Sequence, residues 1–213
     1  MSMEFETERT RLVEGLRFYG ISERVLDAMK KIPRHLFVPP LYREKAYADH
    51  PLPIGENQTI SAPHMVAMMC DLLDIQKGMS ILEIGAGCGY HAAVMAELVG
   101  EGHVYTVDRL SSLVNSAIEN LRTAGYSNVT VFVGDGTLGL PDHAPYDRIS
   151  VACAAPDIPP PLIGQLKSGG KMVIPIGRPF QNLYLVEKRN GIIKKECGGV
   201  VFVPLIGKYG FKV

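Results

Sequence analysis

The sequence predicts an α/β fold: a Rossmann-like, doubly wound, mostly parallel sheet with helices on both faces and an N-terminal helical cap. Three observations carry that expectation. From Ser80 onward, short apolar runs alternate with segments of helical periodicity, the pattern of βαβ units. The glycine-rich stretch Gly85-Ala86-Gly87-Cys88-Gly89 stands where the first run should turn into a helix, and an acid closes each of the next two runs, Asp108 and Asp135. A single domain over residues 1–213 is expected, with residues 1–62 as cap and substrate-side loop and residues 63–213 as the α/β core.

Leu12, Val13 and Leu16 recur at helical spacing before Gly20, and a second helix starts at Ser22 and carries Val25, Leu26, Met29 and Ile32 to Pro33. Between Pro33 and Pro63 the prolines at 39, 40, 51 and 53 break all periodicity, so this stretch reads as a binding loop. Pro63 suits the first position of a helix with Met65, Val66, Met69, Leu72 and Leu73 on its apolar face, which puts Ser61 or Ala62 near the N-cap. The core then reads as strand 80–84, helix 90–99, strand 104–107, helix 111–124 closed by Gly125, and strand 129–133. It continues with strand 148–152, a short helix after the prolines 159–161, strand 171–176, and two more strand-like runs, 183–189 and 200–205.

The charges balance, with 22 Lys plus Arg against 22 Asp plus Glu, so no global positive field collects nucleic acid or an anionic membrane. The cysteines at 70, 88, 153 and 197 form no CxxC pair, which argues against a zinc knuckle or disulfide framework and for reduced thiols in a cytoplasm. The first residues are charged, and no run approaches the roughly 18 apolar residues of a membrane span. A cytoplasmic monomer without metal is the expectation.

Glycine at a strand-to-helix turn tolerates positive φ and lets a ligand approach the backbone. A dinucleotide fingerprint is GxGxxG; here the spacing is GxGxG, with Glu83 two residues before the first glycine, which favours a ligand without a pyrophosphate. Asp108, about twenty residues beyond the loop, suits a carboxylate accepting both hydroxyls of a ribose, with a helix N-cap as its other role. Asp135, in Gly134-Asp135-Gly136, suits an acceptor for an adenine amino group, with a plain Asp-Gly turn as its alternative.

The stretches ILEIGAGCGY (81–90), VYTVDR (104–109), GDGTLGLP (134–141) and LKSGGKMVIPIG (166–177) resemble the successive motifs of class I S-adenosylmethionine-dependent methyltransferases. Within them, PRHLFVP (33–39), DHPLPIGENQTISAPHMVAMM (49–69), YDRISVACAAPDIPPPLIGQLKSGG (146–170) and VVFVPL (200–205) resemble the protein-L-isoaspartate O-methyltransferases. The resemblance implies S-adenosyl-L-methionine as cofactor, S-adenosyl-L-homocysteine as product, and isoaspartyl-containing proteins and peptides as substrates. It implies Ser61 as the active-site serine, with Thr59, Ile60 and His64 where cofactor and substrate meet. Glu83, Gly85, Gly87 and Gly89 would line the methionine part, Asp108 and Arg109 the ribose side, and Asp135 with Gly136 the adenine. Glu56 and Ile206 depart from the residues usual in the family.

The accepting α-carboxylate of such a substrate has an unperturbed pKa near 3.5 to 4, so it needs no general base, and catalysis reduces to placement with water excluded. Ser61 then reads as an orienting donor rather than a nucleophile, and no GxSxG elbow surrounds it. A nicotinamide-dependent oxidoreductase is disfavoured by the loop spacing. A nucleic-acid methyltransferase would need a basic, aromatic-studded surface or a base-flipping motif, and the sequence shows neither; a cofactor-binding scaffold without activity is the non-catalytic alternative.

Overall fold

A computed structural model describes residues 2–212. Helices α1 (Ser2–Leu16) and α2 (Glu23–Lys31) open the chain, and α2 buries Val25, Leu26, Ala28 and Met29 at helical spacing. The prolines after it forbid a regular helix, and the chain makes two 3-10 turns, Arg34–Phe37 and Pro40–Lys45. The stretch expected as a loop also holds a hairpin of β1 (Leu52–Gly55) and β2 (Gln58–Ile60). Its tip, Glu56-Asn57, takes left-handed backbone at φ 52° and 54°, which hid the strands behind two residues that need no glycine to turn. Helix α3 (Pro63–Leu73) follows, with Ala62 at its N-cap and no side-chain cap, so Ser61 does not serve as one.

The core alternates β3 (Ser80–Ile84), α4 (Tyr90–Val99), β4 (His103–Asp108), α5 (Ser111–Thr123), β5 (Val129–Val133), β6 (Tyr146–Val151) and α6 (Pro160–Gln165). It ends with β7 (Leu166–Ile176), β8 (Gln181–Lys188) and β9 (Ile192–Val200). Among the described residues these strands form one seven-stranded sheet in the order β5-β4-β3-β6-β7-β8-β9. The pairs from β5 to β7 are parallel, and β8 and β9 close the edge antiparallel. Strand order reverses between β3 and β6, the place where an open α/β sheet leaves a crevice at its strands' carboxyl ends.

One run expected as a strand lies elsewhere. The last strand is Ile192–Val200, and residues 201–205 leave the sheet to cross the ends of β3 and β6, where Ala154 N–H donates to Val203 O at 2.8 Å and Leu205 N–H to Ala154 O at 2.7 Å. The true strand was masked because it is an exposed edge carrying Lys194, Lys195 and Glu196, whereas Val203 and Leu205 are apolar for packing at the crevice. β7 likewise begins at Leu166, five residues early, with its pairing to β6 bulged between Leu166 and Lys171.

The cap shares the core. Val13, Leu16, Val25, Leu26 and Phe37 pack in one hydrophobic cluster with Val66, Met69, Ile81, Ala93 and Val94 on one face of the sheet, while Leu82, Ile84, Ile149 and Met172 pack on the other.

Candidate functional site

At the switch point a cleft enclosing about 940 Å³, counting space open to solvent, is built from four pieces of chain. Its floor is the turn after β3 (Gly85, Gly87, Cys88); one wall is Val107, Asp108, Arg109 and Leu113; the roof is the hairpin strand Gln58–Ile60 with Ser61; the far end is Val203–Ile206.

The turn works because Gly85 and Gly87 sit at φ 94° and 51°, conformations that a side chain resists. Gly87 N–H donates to Asp108 Oδ2 at 3.0 Å and Leu110 N–H to Asp108 Oδ1 at 3.0 Å, so the carboxylate is held square to the cleft by one bond on each oxygen. Each oxygen keeps a further lone pair for a ligand hydroxyl. Under the turn, Glu83 is fully buried, accepts Thr106 Oγ1–H at 2.6 Å, and lies 3.4 Å from His91 Nδ1. Burial pushes its carboxyl up to about 8, against the Thr106 hydrogen bond and with the Asp108 charge.

Ser61 faces the cleft, and its hydroxyl makes no hydrogen bond among the described residues. Its carbonyl is held by Arg34, a fully buried guanidinium that donates to Ser61 O at 3.0 Å and Ala46 O at 2.8 Å and lies 4.7 Å from the centre of the Tyr90 ring. The Cys88 thiol is pushed up to about 11 by burial, so it stays protonated and serves as a small packed group.

The cleft therefore brings together Thr59, Ile60, Ser61, Gly85, Gly87, Asp108, Arg109 and Gly136. Four other residues singled out in the sequence lie outside its lining. Glu83 and Gly89 stand beneath it, Gly89 as the left-handed N-cap of α4. His64 turns to Asp49, whose Oδ1 accepts both its backbone N–H and a contact from Nδ1 at 2.9 Å, and its ring stacks on Tyr19 at 5.1 Å. The Asp135 carboxylate accepts Thr137 N–H at 2.9 Å, Thr137 Oγ1–H at 2.7 Å and Lys208 N–H at 2.8 Å. Burial alone would raise its pKa, but those hydrogen bonds and the Lys208 charge hold it below the usual carboxylate range. Asp135 thus ties residues 207–209 to the turn after β5, and Gly136 beside it lines the cleft.

Sequence reasoning missed the parts played by Arg34 and Asp49, and it marked Glu56 only as a departure from the family's usual residue. Glu56 Oε1 accepts Ser112 Oγ–H at 2.8 Å and so fastens the roof to the start of α5. The signal for Arg34 was a cation before the apolar run Leu36-Phe37-Val38; Asp49 gave none, and nothing local foretold the bond from Ser112 to Glu56, whose partners stand 56 positions apart.

A sequence model of the protein-L-isoaspartate(D-aspartate) O-methyltransferase family matches residues 7–210. The chain is 62% identical to the protein-L-isoaspartate O-methyltransferase of Methanothrix thermoacetophila over 96% of its length and 97% of the relative's. It is 59% identical to protein-L-isoaspartate O-methyltransferase 1 of Archaeoglobus fulgidus over 99% and 98%. A solved protein-L-isoaspartate O-methyltransferase superposes with a TM-score of 0.88 at 32% identity, covering 95% of this chain and 67% of that one. A candidate Plasmodium falciparum protein-L-isoaspartate O-methyltransferase in complex with S-adenosyl-L-homocysteine gives 0.84 at 28%, covering 93% and 98%.

Proposed function

Since the chain belongs to the protein-L-isoaspartate(D-aspartate) O-methyltransferase family, we propose that the cleft at its strand switch point is where Ser61 orients an isoaspartyl carboxylate for methylation. The enzyme is S-adenosylmethionine-dependent and transfers a methyl group to the free α-carboxylate of L-isoaspartyl residues in damaged proteins. The resulting ester closes to a succinimide, which is the repair step.

The residues of the cleft fit this cofactor. The Asp108 carboxylate has acceptor sites left for a ribose diol, and Val107, Leu110 and Leu113 give an apolar wall for a base. At Gly136 an added Cβ would stand 2.5 Å from Ile84 Cγ2, so the backbone there passes closer than any side chain permits. Bound there, the cofactor supplies an electrophilic methyl group on a sulfonium sulfur.

Every other step belongs to the chain. The roof strand Gln58–Ile60 excludes water, and Asp108 with the glycine turn fixes the ligand's position. The Ser61 hydroxyl donates to one oxygen of an acceptor that is already ionised, leaving the other to attack. Arg34 keeps that hydroxyl in register by holding the Ser61 carbonyl. The carrying observation is that an unengaged hydroxyl, the glycine turn and the Asp108 carboxylate share one cleft. Methyl transfer to an isoaspartyl peptide, compared with its normal aspartyl isomer, tests the reading; equal transfer to both isomers would remove the assigned specificity.

We further propose that the enzyme works as a cytoplasmic monomer without nucleic acid. The balanced charge leaves no global field for nucleic acid, and no helix among the described residues is long and apolar enough to cross a membrane. Light scattering on the purified chain checks the monomer.

A further inference from the structure

Beneath the turn that carries Gly85 and Gly87 lies a group of buried polar side chains whose hydrogen-bonding capacity is not filled. Glu83 Oε2 accepts the Thr106 hydroxyl, while Oε1 has no hydrogen bond. His91, in the first turn of α4, lines the cleft, brings Nδ1 to 3.4 Å from that Oε1 and leaves Nε2 without a partner. Ser150, the cross-strand neighbour of Glu83 on β6, has an equally unpartnered Oγ. Native interiors rarely leave such atoms unpaired without a functional reason.

The groups that act on Glu83 from each surrounding element carry no positive charge. They are Thr106 and Asp108 from β4, His91 from α4, Cys70 from α3, Cys88 from the turn, and Ser150 and Cys153 from β6 and the residues after it. Arg34, whose charge acts on Cys88 and Tyr90, is engaged by Ala46 O, Ser61 O and the Tyr90 ring. A carboxyl removed from water with no cation beside it keeps its proton. Burial accordingly pushes Glu83 up to about 8 and lowers His91 to about 4, so both are uncharged at neutral pH.

We propose that Glu83 and His91 form a charge-reading pair that makes the cleft favour the cationic cofactor over its neutral, demethylated product, one proton leaving the protein as positive charge enters. The inference rests on S-adenosyl-L-methionine filling the cleft that His91 lines. In the free enzyme the Glu83 proton faces His91 Nδ1 and the ring proton is on Nε2. Positive charge in the cleft favours ionised Glu83: its proton passes to Nδ1, the Nε2 proton goes to the buffer, and one carboxylate now stands opposite one cation. A neutral imidazole suits this exchange because it accepts at one nitrogen or donates from it, according to tautomer. A unit charge within roughly 6 Å, at an effective dielectric of about 20, lowers a carboxyl pKa by roughly two units, enough to cross neutrality. Once the methyl group has left, the sulfur is neutral, Glu83 takes a proton back, and the hold on the product weakens.

The test is calorimetric titration of the full chain at pH 7 with S-adenosyl-L-methionine and with S-adenosyl-L-homocysteine, each in buffers of different ionisation enthalpy. The methylated ligand should release between about half a proton and one, and the product markedly less. The ratio of the two affinities should rise about 25-fold from pH 6 to pH 8, and Glu83→Gln should make it independent of pH. Should that variant fold poorly, ¹⁵N spectra of the unmutated chain give a second readout: the His91 tautomer should change with the methylated ligand and not with the product. Equal proton release for the two ligands, or release that survives Glu83→Gln, overturns the pair. Absence of binding by both ligands overturns the assignment of the cleft itself, a distinct result.

Discussion

The Ser61 hydroxyl has no hydrogen-bond partner among the described residues, and under the proposed function it would meet a substrate group that is already ionised, so its value lies in direction. Ser61→Ala should lower kcat by about 10- to 100-fold, the worth of one hydrogen bond to a charged group, and leave the cofactor dissociation constant within about twofold. Steady-state kinetics with calorimetry checks this, and equal loss of both would sink the orienting role. The role proposed for Asp108 is different, to bind rather than to orient. Asp108→Ala should weaken the cofactor by about 1.5 to 3 kcal/mol, with an unchanged dissociation constant removing it from the site. Glu83 links the site to stability. Its folded pKa of about 8 exceeds its unfolded value of 4.5, so the folded state binds more protons between those limits, and stability falls as pH rises through that window. Glu83→Gln removes this dependence, and its stability relative to the unmutated chain should grow by on the order of 3 kcal/mol between pH 5 and pH 8, measurable by urea unfolding. The place of Asp108 at a strand's end was legible because its signal is local, whereas Ser61 stood out through family resemblance, its local signal being a helix cap that it does not supply. Arg34 was not, since its meaning comes from a carbonyl 27 positions away.

Among the elements, the hairpin β1–β2 shows why part of the fold stayed hidden. Its strands hold four and three residues, too few for a period of two to register, and Pro53 interrupts the first. Its place over the cleft depends on Glu56 bonding Ser112 and on Ile54 reaching Gly87, where an added Cβ would lie 3.4 Å from Ile54 Cδ1. Glu56→Ala should therefore speed release of S-adenosyl-L-homocysteine by about two- to fivefold, the effect of one exposed hydrogen bond, read by stopped flow. The βαβ elements from β3 to β5 were legible nearly to the residue, because buried parallel strands read as continuous apolar runs. The edge hairpin β8–β9 was only half legible: exposure let charged residues occupy the last strand, and the apolar signal moved to residues 201–205, of which Val203 and Leu205 pack at the crevice without forming a strand.

Across the whole molecule, the N-terminal helices and the α/β layers share a hydrophobic cluster, from Val13 through Ile81 to Leu183. Unfolding should follow one cooperative transition. Ligand that binds the folded state alone adds to it, about 2.7 kcal/mol at a hundred times the dissociation constant, and calorimetric scans with and without S-adenosyl-L-homocysteine check both statements. Two separate transitions would show that the cap and the layers are independent units.

The crossing of residues 203–206 over the strand ends also sets an order in time. The cleft borrows its far end from a stretch made after every strand of the sheet, and Lys208 and Tyr209 are then pinned to Asp135 and Thr137. A chain emerging from the ribosome has its sheet, its glycine turn and Asp108 in hand well before that end piece arrives. The cleft is thus finished only after the whole sheet has been made, and a ligand that steadies the mature enzyme offers little help before then.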